Sequence, residues 1–231
     1  MNEGQSLNAI TGPLEHPFIL LEIATRSVPG SVHPYEDRIL ADEKLGLFAV
    51  ADGVTVSSQG SGAVGAELAL SLLHENFSGD LSAAITRVHQ RVVARMRVDK
   101  TVGETTLTAV YVNEDHLQAG NVGDSPAYLV REGEMRHLSR EDESPEGYIT
   151  QMIGYPETVS VHSTHLQLEE GDVVIVASDG VEHILQAPFI RQIIGSSKVS
   201  EIADAIIDEA IAHVSGYDDD KSVIVLRVAK G

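Results

Sequence analysis

The chain has 231 residues and no cysteine, which excludes disulfides, thiolate metal sites and thiol nucleophiles. A hydrophobic content of 42% supports one packed domain over residues 1–231 and argues against a disordered chain, despite a formal net charge of −19. That charge opposes nucleic-acid and anionic-membrane partners, which need lysine and arginine. No apolar run approaches the ~18 residues of a membrane span, and no basic segment precedes an apolar one at the N-terminus. The sequence therefore reads as cytoplasmic and bacterial, and as a monomer.

Residues 1–16 are polar and turn-rich and read as a loose leader. Phe18 to Ala24 is a short strand, and Val28 to Arg38, with Pro29, Gly30 and Pro34, is a loop or hairpin that delivers Glu36 and Asp37. The apolar run after Gly46 reads as a strand buried on both faces, yet it ends in Asp52-Gly53. A polar loop from Thr55 to Ser61 leads into a helix with Val64, Leu68 and Leu72 on its inner face. Asp80 N-caps a second helix whose apolar face is Ile85, Val88, Val92 and Met96.

From Glu104 to Leu138 the hydrophobic period changes to two, which reads as a four-stranded antiparallel meander with Gly123-Asp124-Ser125 at its tip. Ser144 to Gly154 gives no clear pattern, and Val159 to Leu168 alternates as a strand. Val173 to Ala177 repeats the apolar strand and ends in Ser178-Asp179-Gly180. Helical stretches follow at Val181 to Leu185 and Pro188 to Ile194. A last helix over Ser200 to Val214 turns Ile202, Ile206 and Ala210 inward, and Asp218-Asp219-Asp220 precedes a final strand, Ser222 to Val228. This order fits an α+β fold: a four-layer α-β-β-α sandwich of two mainly antiparallel sheets flanked by helices.

The acidic groups at strand and loop ends are the chemical signal. Two apolar strands that each end in Asp-Gly suggest a metal site on one sheet edge, because a strand-end carboxylate and an exposed carbonyl suit a hard cation. Oxygen ligands favour Mg²⁺ or Mn²⁺ over zinc. Two such ions sharing one carboxylate can acidify a water for attack on a phosphoester, so no serine or cysteine nucleophile is required.

Seven stretches carry a resemblance: Tyr35-Glu36-Asp37-Arg38, Phe48 to Gly53, the glycine-rich stretch from Ser61 through Gly65, Glu67 and Ala69, Gly103 to Thr106, Ala119 to Ser125, Val176 to Gly180, and Asp219 to Val223. In that order they resemble the metal-dependent protein phosphatase family, PPM or type 2C, over about residue 20 to the C-terminus. The resemblance implies a binuclear Mn²⁺/Mg²⁺ centre that removes phosphate from phosphoserine or phosphothreonine of a protein substrate. Carried over by motif, Asp52 bridges two metals and Gly53 offers its carbonyl to one. Asp37, Asp179 and Asp219 hold the other, Glu36 supports a metal-bound water, and Asp124 matches a residue associated with a third metal.

The sequence departs from the family in places. Val32 occupies the position of a phosphate-binding arginine, Val54 follows Asp52-Gly53 where some members have histidine, and Gly123-Asp124-Ser125 continues in Pro126 rather than arginine. The family's Asp-His pair becomes Glu141-Asp142-Glu143, and the segment after it leaves no room for a flap subdomain, as in compact bacterial members. A second reading is a catalytically weak phosphatase-like module that binds or regulates phosphoproteins. A nucleotide-dependent oxidoreductase is a third, since Gly60 to Gly65 spells G-x-G-x-x-G. Those glycines lie outside a βαβ unit and fit close helix packing better. His162 and His165 fall on opposite faces of a strand, a poor metal pair. His33 adjoins the missing arginine and is a candidate catalytic group, with an exposed loop histidine as the plainer reading.

Overall fold

The computed structural model describes residues 19–185, 192–195, 198–214 and 216–229. Among the described residues, ten strands form two antiparallel five-stranded sheets. The first sheet has the order β1 (Leu21–Val28), β10 (Lys221–Val228), β9 (Val173–Ala177), β6 (Ala127–Arg131), β7 (Glu134–His137). The second runs β2 (Arg38–Asp42), β3 (Leu47–Ala51), β4 (Leu107–Asn113), β5 (His116–Val122), β8 (His162–Gln167). Helices α1 (Gly62–Asn76) and α2 (Leu81–Val98) cover the second sheet. A short α3 (Glu182–Leu185) and α4 (Val199–Ala212) cover the first. This is the expected α-β-β-α sandwich.

The continuous apolar strands are explained by parity. Successive side chains of a strand point to opposite faces. In β3, Leu47, Ala49 and Ala51 pack against α1 and α2, while Phe48 and Val50 pack between the sheets. In β9, Val173, Ile175 and Ala177 face α4, while Val174 and Val176 meet Phe48 and Val50 in the central layer. Each strand therefore has two apolar partners and no solvent face.

Three expectations are corrected. The meander does not stay in one sheet: β4 and β5 lie in one, β6 and β7 in the other, so Gly123-Asp124-Ser125 is a crossing between sheets, not a hairpin tip. For the same reason Val28 to Arg38 is a crossing loop, and Asp52 and Asp179 end strands of facing sheets, not of one sheet edge. Alternation predicts strands well but does not say which strands pair.

The inner face of α1 also differs. Leu72 is buried as expected, as are Gly62, Gly65, Ala66, Ala69 and Leu73, whereas Val64 is exposed and Leu68 half-buried. The helix needs small residues there because its first turn lies on the backbone after β3. A Cβ on Gly53 would stand 2.4 Å from the Gly62 carbonyl carbon, so neither glycine tolerates a side chain. The second helix is as expected, with Asp80 accepting from the Ala83 N–H at 2.9 Å. The leader over residues 1–16 and most of the helical stretch from Pro188 lie outside the described residues. Between β7 and β8 the chain forms turns and isolated bridges only.

Candidate metal centre

Parity also builds the site. In β3 the positions facing the central layer are 48 and 50, and Asp52 is the next in that series, just past the strand end. In β9 and β10 the corresponding positions are Ser178 and Ser222, which meet through the Ser222 N–H on the Ser178 hydroxyl at 2.9 Å. Because β2 pairs antiparallel with β3, Arg38 lies opposite Ala51 and the preceding Asp37 comes in beside Asp52. The central layer therefore ends in carboxylates and hydroxyls instead of isoleucine and valine.

The backbone around these groups is pinned. Asp52 donates its N–H to the Thr106 hydroxyl at 3.0 Å, and its carbonyl accepts from the Thr106 N–H and the Thr105 hydroxyl, both at 2.8 Å. Asp220, 1% exposed, clamps the acidic loop: its carboxylate accepts from the N–H groups of Gly30 (2.8 Å), Glu36 (2.6 Å) and Asp37 (3.2 Å). Ser178 donates to Asp37 Oδ2 at 2.8 Å. Glu36 Oε1 accepts from the Ala63 N–H, at the start of α1, at 3.3 Å. Glu104 holds the loop after Asp52 by accepting from Ser57 and from both the hydroxyl and N–H of Ser58.

The structure brings the candidate residues together. Asp52, Gly53, Asp124, Asp179 and Asp219 line one cavity of about 120 Å³. Asp37 lies next to it and is the strongest charged influence on Asp52. Burial pushes Asp52 well above the usual carboxylate range, and the charges of Asp37, Asp179, Asp219 and Asp124 push it further. Burial likewise raises Asp37 to about 7, against the hydrogen bonds from Ser222 and Ser178, with Asp220 and Asp179 adding to the rise. Asp124 is raised to about 7 by burial and Asp179, and Asp179 to about 6 by burial and Asp219.

These groups fit a cation. Buried oxygens of Glu36, Asp37 and Asp179 have no hydrogen-bond partner, which is costly in a protein interior unless something else satisfies them. The donor set is all oxygen, as Mg²⁺ and Mn²⁺ prefer. No three such side chains among the described residues are already closed into one coordination sphere.

His33 is not an exposed loop histidine. Its side chain is 5% exposed, with Nε2 2.6 Å from Asp219 Oδ1 and Nδ1 2.8 Å from the Pro34 carbonyl. Acceptors beside both ring nitrogens favour the doubly protonated ring. Burial alone would lower the His33 pKa, but the Pro34 carbonyl and Asp219 outweigh it and the net direction is upward. Val32 beside it is 46% exposed. Two guanidiniums of this half of the chain are engaged: Arg38 donates to the Asp37 carbonyl at 2.8 Å, and Arg26 meets Asp204 and Asp208 of α4 at 3.1 and 2.8 Å.

Sequence reasoning misses several contributors. Three aspartates in a row do not reveal that Asp219 lines the cavity while Asp220 is a clamp. Ser178 stands in the sequence only as part of a motif, and nothing there couples it to Asp37. Asp142, in the blurred Glu141-Asp142-Glu143 stretch, accepts from the Gly123 N–H at 2.9 Å and lies 2.7 Å from His162 Nε2, so it braces the loop carrying Asp124. His162 thus pairs with a carboxylate, while His165 on the other face is exposed.

Comparisons with known proteins bear on the family and the fold. The profile of the family described as Stage II sporulation protein E (SpoIIE) matches residues 59–229. The serine/threonine protein phosphatase PstP of Mycobacterium tuberculosis is 25% identical over 239 residues, covering 91% of this chain and 45% of that protein. The serine/threonine phosphatase stp of Listeria innocua is 24% identical over 222 residues, covering 81% of this chain and 86% of that protein. The crystal structure of the PstP catalytic domain in complex with two manganese ions superposes with a TM-score of 0.78 at 26% identity, covering 91% of this chain and 99% of that one. The chain thus spans about half the length of PstP, the part that corresponds to its catalytic domain.

Proposed function

We propose, from the premise that this chain belongs to the SpoIIE/PPM-type phosphatase family, that it is a Mn²⁺- or Mg²⁺-dependent phosphatase acting on phosphoserine or phosphothreonine of protein substrates. The observation that carries the reading is the carboxylate cluster at one end of the sandwich: buried oxygens of Glu36, Asp37 and Asp179 lack hydrogen-bond partners, and burial and neighbouring charges raise the pKa values of Asp37, Asp52 and Asp179. The manganese-bound relative, matched over most of this chain, supports the choice of ion.

In this reading Asp52, the Gly53 carbonyl, Asp37, Asp179 and Asp219 would hold the ions, and Asp124 would serve a further, weaker position. Bound divalent ions supply Lewis acidity and positive charge to a phosphoester and to the water that attacks it. The chain's own part is preorganisation. Asp220 fixes the Glu36-Asp37 loop by three backbone donors, so Asp37 need not search for its position. Ser178 turns the Asp37 carboxylate by engaging one oxygen and leaving the other free. Thr105 and Thr106 hold the Asp52 main chain while its carboxylate stays in the cavity. Glu36 Oε2, buried without a hydrogen-bond partner and 3.8 Å from His33 Nδ1, can accept a hydrogen bond from the attacking water and orient it. His33, as imidazolium, restrains Asp219 and offsets part of the negative charge there.

With Val32 in place of an arginine, phosphate oxygens depend on the ions for positive charge. The test is phosphate release from a phosphothreonine peptide and from p-nitrophenyl phosphate. Release should require Mn²⁺ or Mg²⁺ and stop with EDTA. Equal turnover with and without EDTA defeats the proposal.

A further inference from the structure

His89 is a buried titratable group to which the mechanism above gives no part. It lies on the inner face of α2 and is 1% exposed. Its Nδ1 is 3.3 Å from the Gly154 nitrogen, and its Nε2 is 3.2 Å from the Glu157 carbonyl oxygen. A backbone N–H only donates and a carbonyl only accepts, so this pair favours the neutral ring with its proton on Nε2. The peptide unit that meets Nδ1 is gripped from both sides. Its N–H, from Gly154, points to His89, and its carbonyl, from Ile153, accepts from the Thr105 N–H at 3.1 Å. Ile153 also donates its own N–H to the Thr105 carbonyl at 2.7 Å. Thr105 bridges Ile153 on one side and Gly53 on the other, and its hydroxyl donates to the Asp52 carbonyl at 2.8 Å. Three hydrogen bonds in series therefore join the imidazole to the main chain of Asp52-Gly53. The turn lies directly against α2: Gly154 has a φ of +103°, and a Cβ there would stand 2.8 Å from the Met96 sulfur.

We propose that neutral His89 is a positioning residue for the metal centre, and that its protonation loosens the Asp52-Gly53 backbone and weakens Mn²⁺ or Mg²⁺ binding. The proposal rests on the metal-dependent reading above. A proton on Nδ1 faces the Gly154 N–H, so that bond is lost and two donors confront each other. Burial lowers the His89 pKa, with the carbonyls of Glu157, Met152 and Pro156 opposing the fall, so the ring takes a proton only below its ordinary value of 6.5. Charged groups around it are turned elsewhere. Glu157 pairs with Arg97 at 2.5 Å with both side chains largely exposed, and the Glu104 carboxylate is held by Ser57 and Ser58. The remaining titratable residues of α1 and α2 (Glu67, His74, Glu75, Arg87, Arg91 and Arg95) are exposed. On the sheet beneath, Tyr111 of β4 packs on Phe77 and His116 of β5 is exposed.

The test measures Mn²⁺ dissociation constants for the wild type, His89→Asn and His89→Leu between pH 8 and pH 5. Asparagine keeps an acceptor near the place of Nδ1 and does not titrate, whereas leucine removes it. At pH 8, His89→Leu should bind Mn²⁺ about tenfold more weakly than the wild type, as for loss of an outer partner of a metal site, and His89→Asn within about twofold. Acid weakens binding in every form through the ligand carboxylates, but by pH 5 the wild type should have lost about threefold more than His89→Asn. That extra loss should follow the His89 titration read from its ring nitrogens by NMR, which should also show Nδ1 unprotonated at pH 8. Identical pH profiles for the wild type and His89→Asn overturn the proposal, as does a proton on Nδ1 at pH 8 or unchanged affinity in folded His89→Leu. If His89→Leu does not fold, the asparagine variant and the NMR titration decide. If the wild type binds no Mn²⁺, the metal reading falls by itself. The positioning link then stands only if the Thr105 and Gly53 amide signals follow the His89 titration in the wild type and lose that inflection in His89→Asn.

Discussion

The middle of the central layer and its end are built by the same strands and do opposite things. In the middle, Phe48 and Val50 meet Val174, Val176, Ile224 and Leu226, and every group is apolar and buried. One step further along the same strand faces stand Asp52, Ser178 and Ser222, with Asp37 between them. The first region lowers the free energy of the fold by removing apolar surface from water, roughly 25 cal/mol per Å². The second raises it, because carboxylates are desolvated and crowd one another. A fold can hold such an unfavourable end only if the apolar middle outweighs it, and only if a cation can later complete it.

The largest expected effect separates the two directly. Asp52→Asn should reduce Mn²⁺-dependent turnover by about a thousandfold or more, since two-metal activation of water is worth several kcal/mol. The same change should leave the metal-free protein at least as stable as the wild type, because one buried charge is gone. Turnover above a tenth of wild type would remove Asp52 from the bridging role.

Phe48→Ala, four residues earlier on the same face, should do the reverse. A cavity in the fully buried central layer costs about 3–5 kcal/mol, visible as an earlier denaturant midpoint. If any soluble variant binds Mn²⁺ as tightly as wild type, the middle and the end are energetically separate. A parallel loss of affinity would show that they are coupled.

The pH dependence of metal-free stability sharpens the contrast. Asp37 and Asp124 are raised to about 7 and Asp179 to about 6 in the fold, from an ordinary aspartate value of 3.8. A carboxylate whose folded pKa is raised contributes stability that is complete below its unfolded pKa and is lost as pH rises through the folded one. The EDTA-treated protein should therefore melt at a lower temperature at pH 8 than at pH 5, by a few degrees. Millimolar Mn²⁺ should raise the melting temperature at pH 8, since the ion binds the folded carboxylates and hardly the unfolded chain. A metal-free melting temperature that is flat or rises from pH 5 to 8 would mean the carboxylates are not held in this strained, protonatable state.

The smallest effect concerns the rim. Val32→Arg should lower KM for p-nitrophenyl phosphate several-fold with little change in kcat, because a guanidinium adds a charge-assisted contact to phosphate oxygens. An unchanged KM would mean that position 32, which is well exposed, points away from the bound phosphate.

Much of the acidic site was legible because metal chemistry and strand burial both leave local marks. An apolar run that ends in Asp-Gly contradicts its own hydrophobic pattern, and two such contradictions at Asp52 and Asp179 are informative even before any pairing is known. The small inner face of α1 was illegible for the opposite reason. Val64, Leu68 and Leu72 satisfy helical spacing, and Leu72 is buried as expected, but the close approach of Gly62 to Gly53 brings the glycine and alanine positions inward and leaves Val64 exposed.

The sequence by itself determined most of the strands and helices and which carboxylates end them, because period and residue type act over a few neighbours; it left out the strand Arg38–Asp42, whose place follows from pairing with β3. Only the tertiary structure decided that β5 and β6 lie in different sheets, that Asp52 and Asp179 face each other across the sandwich, and that Asp220 clamps the loop for which Asp219 is the neighbour in the cavity. Those outcomes depend on contacts between residues as far apart as Gly30 and Asp220, whose hydrogen bond at 2.8 Å spans 190 positions. No local pattern encodes such a pair, since strand order is set by how whole apolar faces find one another.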